Sequence, residues 1–180
     1  HQTGTAVTTG IFNTLVGYHA GNDLTTGGYN TLLGAEAGDN ITTATNMVGI
    51  GYQALGGRSS NAYTNAGTTA VGYQAASMLE GDKANGTYLG YRAGYADTKN
   101  GGNTAIGYQT MYNMDSPTCN YNVGVGMGGV MNNVNYTGSQ YNVAMGRAAM
   151  YGGTSTGAIA YNIAIGWNAL YDITAGTYNV

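Results

Sequence analysis

Asn103-Thr104-Ala105-Ile106-Gly107-Tyr108-Gln109-Thr110 is one statement of a phrase that the chain repeats nine times. The phrase reads Asn, then Thr or Val, a small residue, an aliphatic residue and Gly, usually followed by Tyr and often by Ala two places further on. Its other copies open at Asn13, Asn30, Met47, Thr68, Gly86, Asn122, Asn142 and Asn162, and a tenth begins at Tyr178-Asn179-Val180. The glycine closing each aliphatic run falls at Gly17, Gly34, Gly51, Gly72, Gly90, Gly107, Gly126, Gly146 and Gly166, so the copies are 17, 17, 21, 18, 17, 19, 20 and 20 residues apart. A fixed phrase joined by segments of varying length marks a solenoid, in which every coil keeps its packed strand and insertions collect in surface loops.

Within the phrase the apolar residues alternate: Val143 and Met145 fall on one face, Ala144 on the other. Alternation over a short, Gly-bounded run is the signal of a strand. One such strand cannot bury its face alone, whereas a stack of them buries a continuous column. The pattern places Thr14/Val16, Thr31/Leu33, Val48/Ile50, Thr69/Val71, Thr87/Leu89, Thr104/Ile106, Val123/Val125, Val143/Met145 and Ile163/Ile165 on the inner face. In the third copy Asn46 is set off from the strand by an extra residue. The Asn ahead of each strand is expected in a turn, its amide bonding the backbone two residues on. Stacked in register, such residues also build hydrogen-bonded ladders. The closing Gly supplies a positive φ or a close backbone approach.

The next position gives a second column, Tyr18, Tyr52, Tyr73, Tyr91, Tyr108 and Trp167, broken by Ala35, Met127 and Arg147. It reads as packing within a coil or across a subunit interface, or as an exposed carbohydrate-stacking surface. The organisation predicted is a single repeat domain: an irregular segment 1–12, nine repeats over 13–177 and the start of a tenth at 178–180. The fold class is all-β, a parallel β-roll or β-helix of about nine coils, making a rod roughly 43 Å long at ~4.8 Å per coil.

Composition supports this reading. The 180 residues include 32 Gly and 17 Tyr, one each of Pro, Trp, Phe and Cys, and only 7% charged residues, against roughly 25% in an ordinary domain. Chains so poor in charge are not solvated disordered linkers. Gly, Asn and Thr are poor helix formers that suit short strands and tight turns. The net charge of −3 and the scattered Arg58, Lys83, Arg92, Lys99 and Arg147 give no basic patch for nucleic acid. No window approaches ~18 uninterrupted apolar residues, so no membrane insertion is expected of this segment. The lone Cys119 excludes an internal disulfide framework and reads as a small apolar residue, with an inter-chain bridge as the alternative.

At Asn103–Thr110 the phrase resembles the head repeats of trimeric autotransporter adhesins and repeats of phage and other viral tail fibres. The adhesin motif runs roughly Asn-Ser-Val-Ala-Ile-Gly, which Asn46-Met-Val-Gly-Ile-Gly51 matches in spacing and most copies match with one residue fewer. The resemblance covers nearly the whole chain. It implies a left-handed parallel β-roll, a homotrimer about the fibre axis, and a surface presented for attachment to a host glycan or protein receptor. The coils here are longer than those of adhesin heads, which implies larger loops.

Catalysis is not expected. Cutting a polysaccharide needs carboxylates gathered in one cleft, and Asp23, Glu36, Asp39, Glu80, Asp82, Asp97, Asp115 and Asp172 recur at no fixed repeat position. They read as solvation of turns. His19 reads as an outward polar residue, and no cofactor or metal is expected. Three sequons, at Asn40, Asn85 and Asn135, fall in connecting segments as candidate glycosylation sites. The function expected is a structural and adhesive segment of an extracellular, cell-surface or virion fibre. The alternatives are a subunit of a head-to-tail self-assembling filament and, below it, an ice- or carbohydrate-binding solenoid. An ice-binding face would need a regular Thr array, and the Thr column gives way to Val or Ile in the last three copies.

Overall fold

The computed structural model describes residues 2–57, 66–79, 85–98, 101–114, 116, 118–132, 138–152 and 157–180. In every copy of the phrase the three residues before the closing glycine form a strand. These are β1 Thr14–Val16, β2 Thr31–Leu33, β3 Val48–Ile50, β4 Thr69–Val71, β5 Thr87–Leu89, β6 Thr104–Ile106, β7 Val123–Val125 and β8 Val143–Met145. Two residues of β9, Ile159–Ala160, come before β10 Ile163–Ile165, and β11 Gly176–Thr177 pairs in parallel with β9. The nine main strands form one parallel sheet in chain order, β1 through β8 and then β10. Register never slips: Thr14 lies against Thr31, Thr31 against Val48, and so on to Val143 against Ile163. The described chain is an all-β parallel solenoid without a helix.

Each strand stops at its glycine because the backbone turns there with φ between 121° and 144°, a region essentially closed to L side chains. Stacking adds a second reason. A Cβ on Gly90 would sit 2.5 Å from the carbonyl oxygen of Gly107 in the next coil. The glycines thus form a column in which backbone lies on backbone, a contact no larger residue permits.

Beyond the glycine the chain alternates between bonds inside the turn and bonds to the next coil. Ala20 donates to Gly17 and Asn22 to His19, while Gly21 donates to Ala37 and Asp23 to Asp39. These account for backbone groups that short strands alone leave unpaired. They also hold side-chain-bearing residues at left-handed corners. One corner precedes the Asn position, as at Tyr29, Tyr121, Tyr141 and Tyr161; a second lies two residues after the closing glycine, as at Glu36, Gln53 and Gln74.

The phase of the strands is the reverse of that expected. The middle residue of each strand points inward, and Leu32, Ala70, Tyr88, Ala105, Ala144 and Ala164 are buried. The flanking pairs assigned above to the core lie on the outside. Val16 is 53% exposed and Ile165 67%. One side chain per strand enters the interior, and where it is only a hydrogen, at Gly49 and Gly124 in the centre of β3 and β7, another part of the coil fills the space.

Inside, volume is shared between the strand centre and a residue across the turn. Where the centre is large, at Leu15, Leu32 and Tyr88, the facing corner is Gly21, Gly38 or Gly94. A Cβ on Gly38 would lie 2.7 Å from Leu32, and one on Gly94 would overlap the Tyr88 ring. Where the centre shrinks to Gly49, Ala105, Gly124, Ala144 or Ala164, the corner grows to Leu55, Met111, Met131, Met150 or Leu170. The fourth coil, with Ala70 and Ala76, is the exception. Near-constant core volume is what dense packing demands.

Asparagines ahead of the strands form ladders, directed to neighbouring coils rather than to the backbone two residues on. Asn30 donates through both its backbone N–H and its Nδ2 to Asn13 Oδ1, each 3.0 Å, and Nδ2 also donates to the Ala44 carbonyl. The longest run passes through Asn103, Asn122, Asn142, Asn162 and Asn179. Met47, Thr68 and Gly86 interrupt it. The third coil has no extra residue before its strand. Asn46 occupies the left-handed corner held by Tyr29 one coil earlier, and Met47 fills the Asn position.

Candidate interaction surface

Three surfaces of the solenoid carry ordered side chains. The first is the outer face of the nine-stranded sheet. Its two columns are the first and third residues of each strand, from Thr14 and Val16 to Ile163 and Ile165. Val16, Leu33, Leu89, Met145, Ile163 and Ile165 are exposed large apolar residues on this one face. Parallel sheets are ordinarily covered on both sides.

The second surface is aromatic. Tyr52, Tyr73, Tyr91 and Tyr108 stack in an unbroken series with ring centroids 5.1 to 5.4 Å apart. The spacing is set by the coil rise, since each ring stands on the same corner of successive turns. Tyr18 stacks instead on His19 at 4.0 Å, because Ala35 offers no ring in the next coil. Trp167 is separated from Tyr108 by Met127 and Arg147. All members of this column are exposed, so the rings pack on one another at the surface and not inside a coil. A second series, Tyr121, Tyr141, Tyr161 and Tyr178, stands on the corner before the Asn position. Shorter pairs join Tyr95 to Tyr112 and Tyr151 to Tyr171. Sequence reasoning missed these. Their signal was a fixed offset from the Asn or from the closing glycine, not adjacency to it.

The third surface is a polar ladder beside the first tyrosines. Arg92 Nε donates to Gln74 Oε1, Gln74 Nε2 to Gln53 Oε1, and Gln53 Nε2 to Glu36 Oε2, at 2.6 to 2.7 Å. A carboxylate at one end and a guanidinium at the other orient every amide between them, the charge-assisted arrangement that strengthens such chains. The Arg92 guanidinium also lies 5.3 to 5.9 Å from the ring centres of Tyr73, Tyr91 and Tyr95. Below the ladder a cavity of about 200 Å³ is lined by Glu36, Asp39, Gln53, Ser77 and Tyr95. Burial, and then the nearby Asp23 and Glu36 charges, raise the Asp39 carboxyl above its usual value.

The other acids do not assemble. Among the described residues no three His, Cys, Asp or Glu side chains come together as a metal site would require. Asp97, read from sequence as solvating a turn, is buried, and accepts hydrogen bonds from the Tyr88 hydroxyl at 2.7 Å and Asn103 Nδ2 at 3.0 Å. A tyrosine at a strand centre brings a polar end into the core, and Asp97 answers it. Cys119 is buried in the core, as a small apolar residue. His19 faces outward beside Gln2. Of the sequons, Asn40 Nδ2 donates to the Gly56 and Gly57 carbonyls, so the nitrogen that glycosylation would modify is engaged. Asn85 is exposed at a left-handed corner, and Asn135 lies outside the described residues. Also outside them are Arg58, Glu80, Asp82, Lys83, Lys99 and Asp115. No described helix is long and apolar enough to cross a membrane.

No protein-family model, curated protein or solved structure matches the chain.

Proposed function

We propose that the chain is a non-catalytic, structural and adhesive segment of an extracellular fibre, of the kind borne by bacterial surface adhesins and phage tails. Copies of the chain, three about one axis, associate through the outer face of the nine-stranded sheet. The observation supporting this is that face itself. Aliphatic residues such as Leu33, Leu89 and Ile165 stand exposed along its length, where water is a poor neighbour and a second sheet a good one. The polar ladder and the tyrosine series then lie on the flanks, free to meet a receptor on a host surface.

Sedimentation velocity over a concentration series tests this reading. A fixed mass near three chains is expected. Val71→Glu together with Ile106→Glu, two outward positions in the same column, in coils four and six, should reduce that mass to one chain while circular dichroism stays that of the parent. A mass that grows without limit as concentration rises points instead to a head-to-tail filament. A monomeric parent chain overturns association altogether.

A further inference from the structure

The position two residues after the closing glycine is filled by long side chains through the first six coils: His19, Glu36, Gln53, Gln74, Arg92 and Gln109. In coils seven and eight it holds Gly128 and Ala148. The positions are equivalent by their backbone bonds, since Gln109 N–H donates to Tyr91 and Gly128 N–H to Tyr108. With the side chains gone, the flank opens into a groove of about 370 Å³. Gly128 and Ala148 form its floor, with Arg147, Trp167, Tyr151 and Tyr171 around it and Asn168 completing the lining. Gly129 is part of the construction, because a Cβ there would lie 2.9 Å from the Tyr151 ring. The Arg147 stem passes over the floor, 3.7 Å from where a Gly128 side chain would begin. Its guanidinium makes no hydrogen bond or ion pair with any described residue.

We propose that this groove binds an acidic pyranoside, a sugar ring carrying a carboxylate or a sulfate. Three rings around a small floor supply the apolar wall that the C–H groups of a pyranose require, and a few polar groups then fix orientation. Asn168 and the tyrosine hydroxyls suit ring hydroxyls, which both donate and accept. Arg147 presents a planar fork to an oxyanion. In a chain with five Lys and Arg in all, an unengaged guanidinium amid three aromatic rings selects for a charged ligand over a neutral one. The groove spans three coils, about 10 Å along the axis, which matches one or two sugar rings better than an extended peptide. It belongs to a single chain and does not depend on assembly.

Trp167 is the only tryptophan, so its fluorescence reports the groove directly. The full chain is titrated with oligogalacturonate, sulfated dextran, neutral dextran and polyglutamate. A saturable change is expected with at least one acidic sugar, and which of the two responds assigns the anion. Binding should weaken by about tenfold or more in Arg147→Gln and again in Gly128→Gln. The latter refills the groove at a corner where Gln53, Gln74 and Gln109 already adopt φ of 51° to 52°, so the fold accepts it. The proposal is overturned by no saturable response to either acidic sugar, or by unchanged affinity in both variants. Equal binding of neutral dextran removes the role of Arg147, and equal binding of polyglutamate removes the sugar. Sedimentation of the same samples keeps this result separate from that on assembly.

Discussion

Coils three to six and coils seven to nine share one backbone and dress it differently. In the earlier coils the tyrosine series stands just after the closing glycine, from Tyr52 to Tyr108, beside a filled polar ladder. There the Asn ladder is interrupted by Met47, Thr68 and Gly86. In the later coils the tyrosines have moved to the corner before the strand, at Tyr121, Tyr141 and Tyr161, and the Asn ladder runs unbroken beneath them. The polar ladder has meanwhile emptied into the groove at Gly128. The contrast separates the parts of the repeat that hold the coil from those that are free to vary. The closing glycine and the strand are retained throughout, while each region carries one ring stack and one amide ladder, placed at different corners.

The costliest single change falls in the Asn ladder. Asn122 Oδ1 accepts from both the backbone N–H and Nδ2 of Asn142, while its own Nδ2 donates to Asn103 Oδ1 and the Ser139 carbonyl. All of these groups are buried. Asn122→Ala strands several of them at once and should cost about 2–4 kcal/mol. Thr68→Ala, at the same position in the interrupted stretch, should cost about 1 kcal/mol. Urea midpoints of the two variants check the contrast, and equal losses would mean that the ladder contributes nothing special to the later coils.

The core offers a sharper test of what is interchangeable. Ala105→Leu places a large residue at the centre of β6 against Met111 and should destabilise by about 1–3 kcal/mol through overpacking. Adding Met111→Gly recreates the pairing of Leu15 with Gly21 and of Leu32 with Gly38, and should recover most of that loss. A double variant no better than the single one would show that the pairing in the first two coils depends on their neighbours and cannot be moved.

Much of this fold was legible in the sequence. The recurring glycines marked the strand ends, and the nine strands fall on the residues that the phrase picked out. What failed was the choice of face. Alternation fixes a period but not its phase, and the more apolar pair was assigned inside by default. Gly or Ala at six of the nine strand centres, Gly49 and Gly124 among them, carried the correction, since a column facing solvent has no need to keep its residues small. The exchange of volume between strand centre and corner was also written in the sequence, as Leu with Gly or Ala with Met six or seven residues apart, but it has meaning only once the centre is known to point inward. The surface ladders were harder to find, because Gln53, Gln74 and Arg92 look like unrelated polar residues until the coils are stacked.

The smallest effect concerns the column five residues after the closing glycine, where the later coils place Tyr151 and Tyr171 and the second coil places Asp39. No described group donates to Asp39 Oδ1, which is shut off from solvent. Burial first, and then the Asp23 and Glu36 charges, hold the carboxyl above 3.8, with His19 opposing them. The unfolded chain takes up this proton only near the ordinary value, so the folded chain binds it at higher pH. Stability carried by that proton is complete below about pH 3.8 and is lost as pH rises through the raised folded value. Asp39→Asn keeps the side chain neutral at every pH. It should therefore raise the melting temperature slightly at pH 7, with the gap to the parent closing by pH 3. A gain that persists at pH 3 would belong to hydrogen bonds of the amide. No gain at pH 7 would mean that the cavity keeps the carboxylate solvated, and that this column tolerates charge as readily as it tolerates the tyrosines further along.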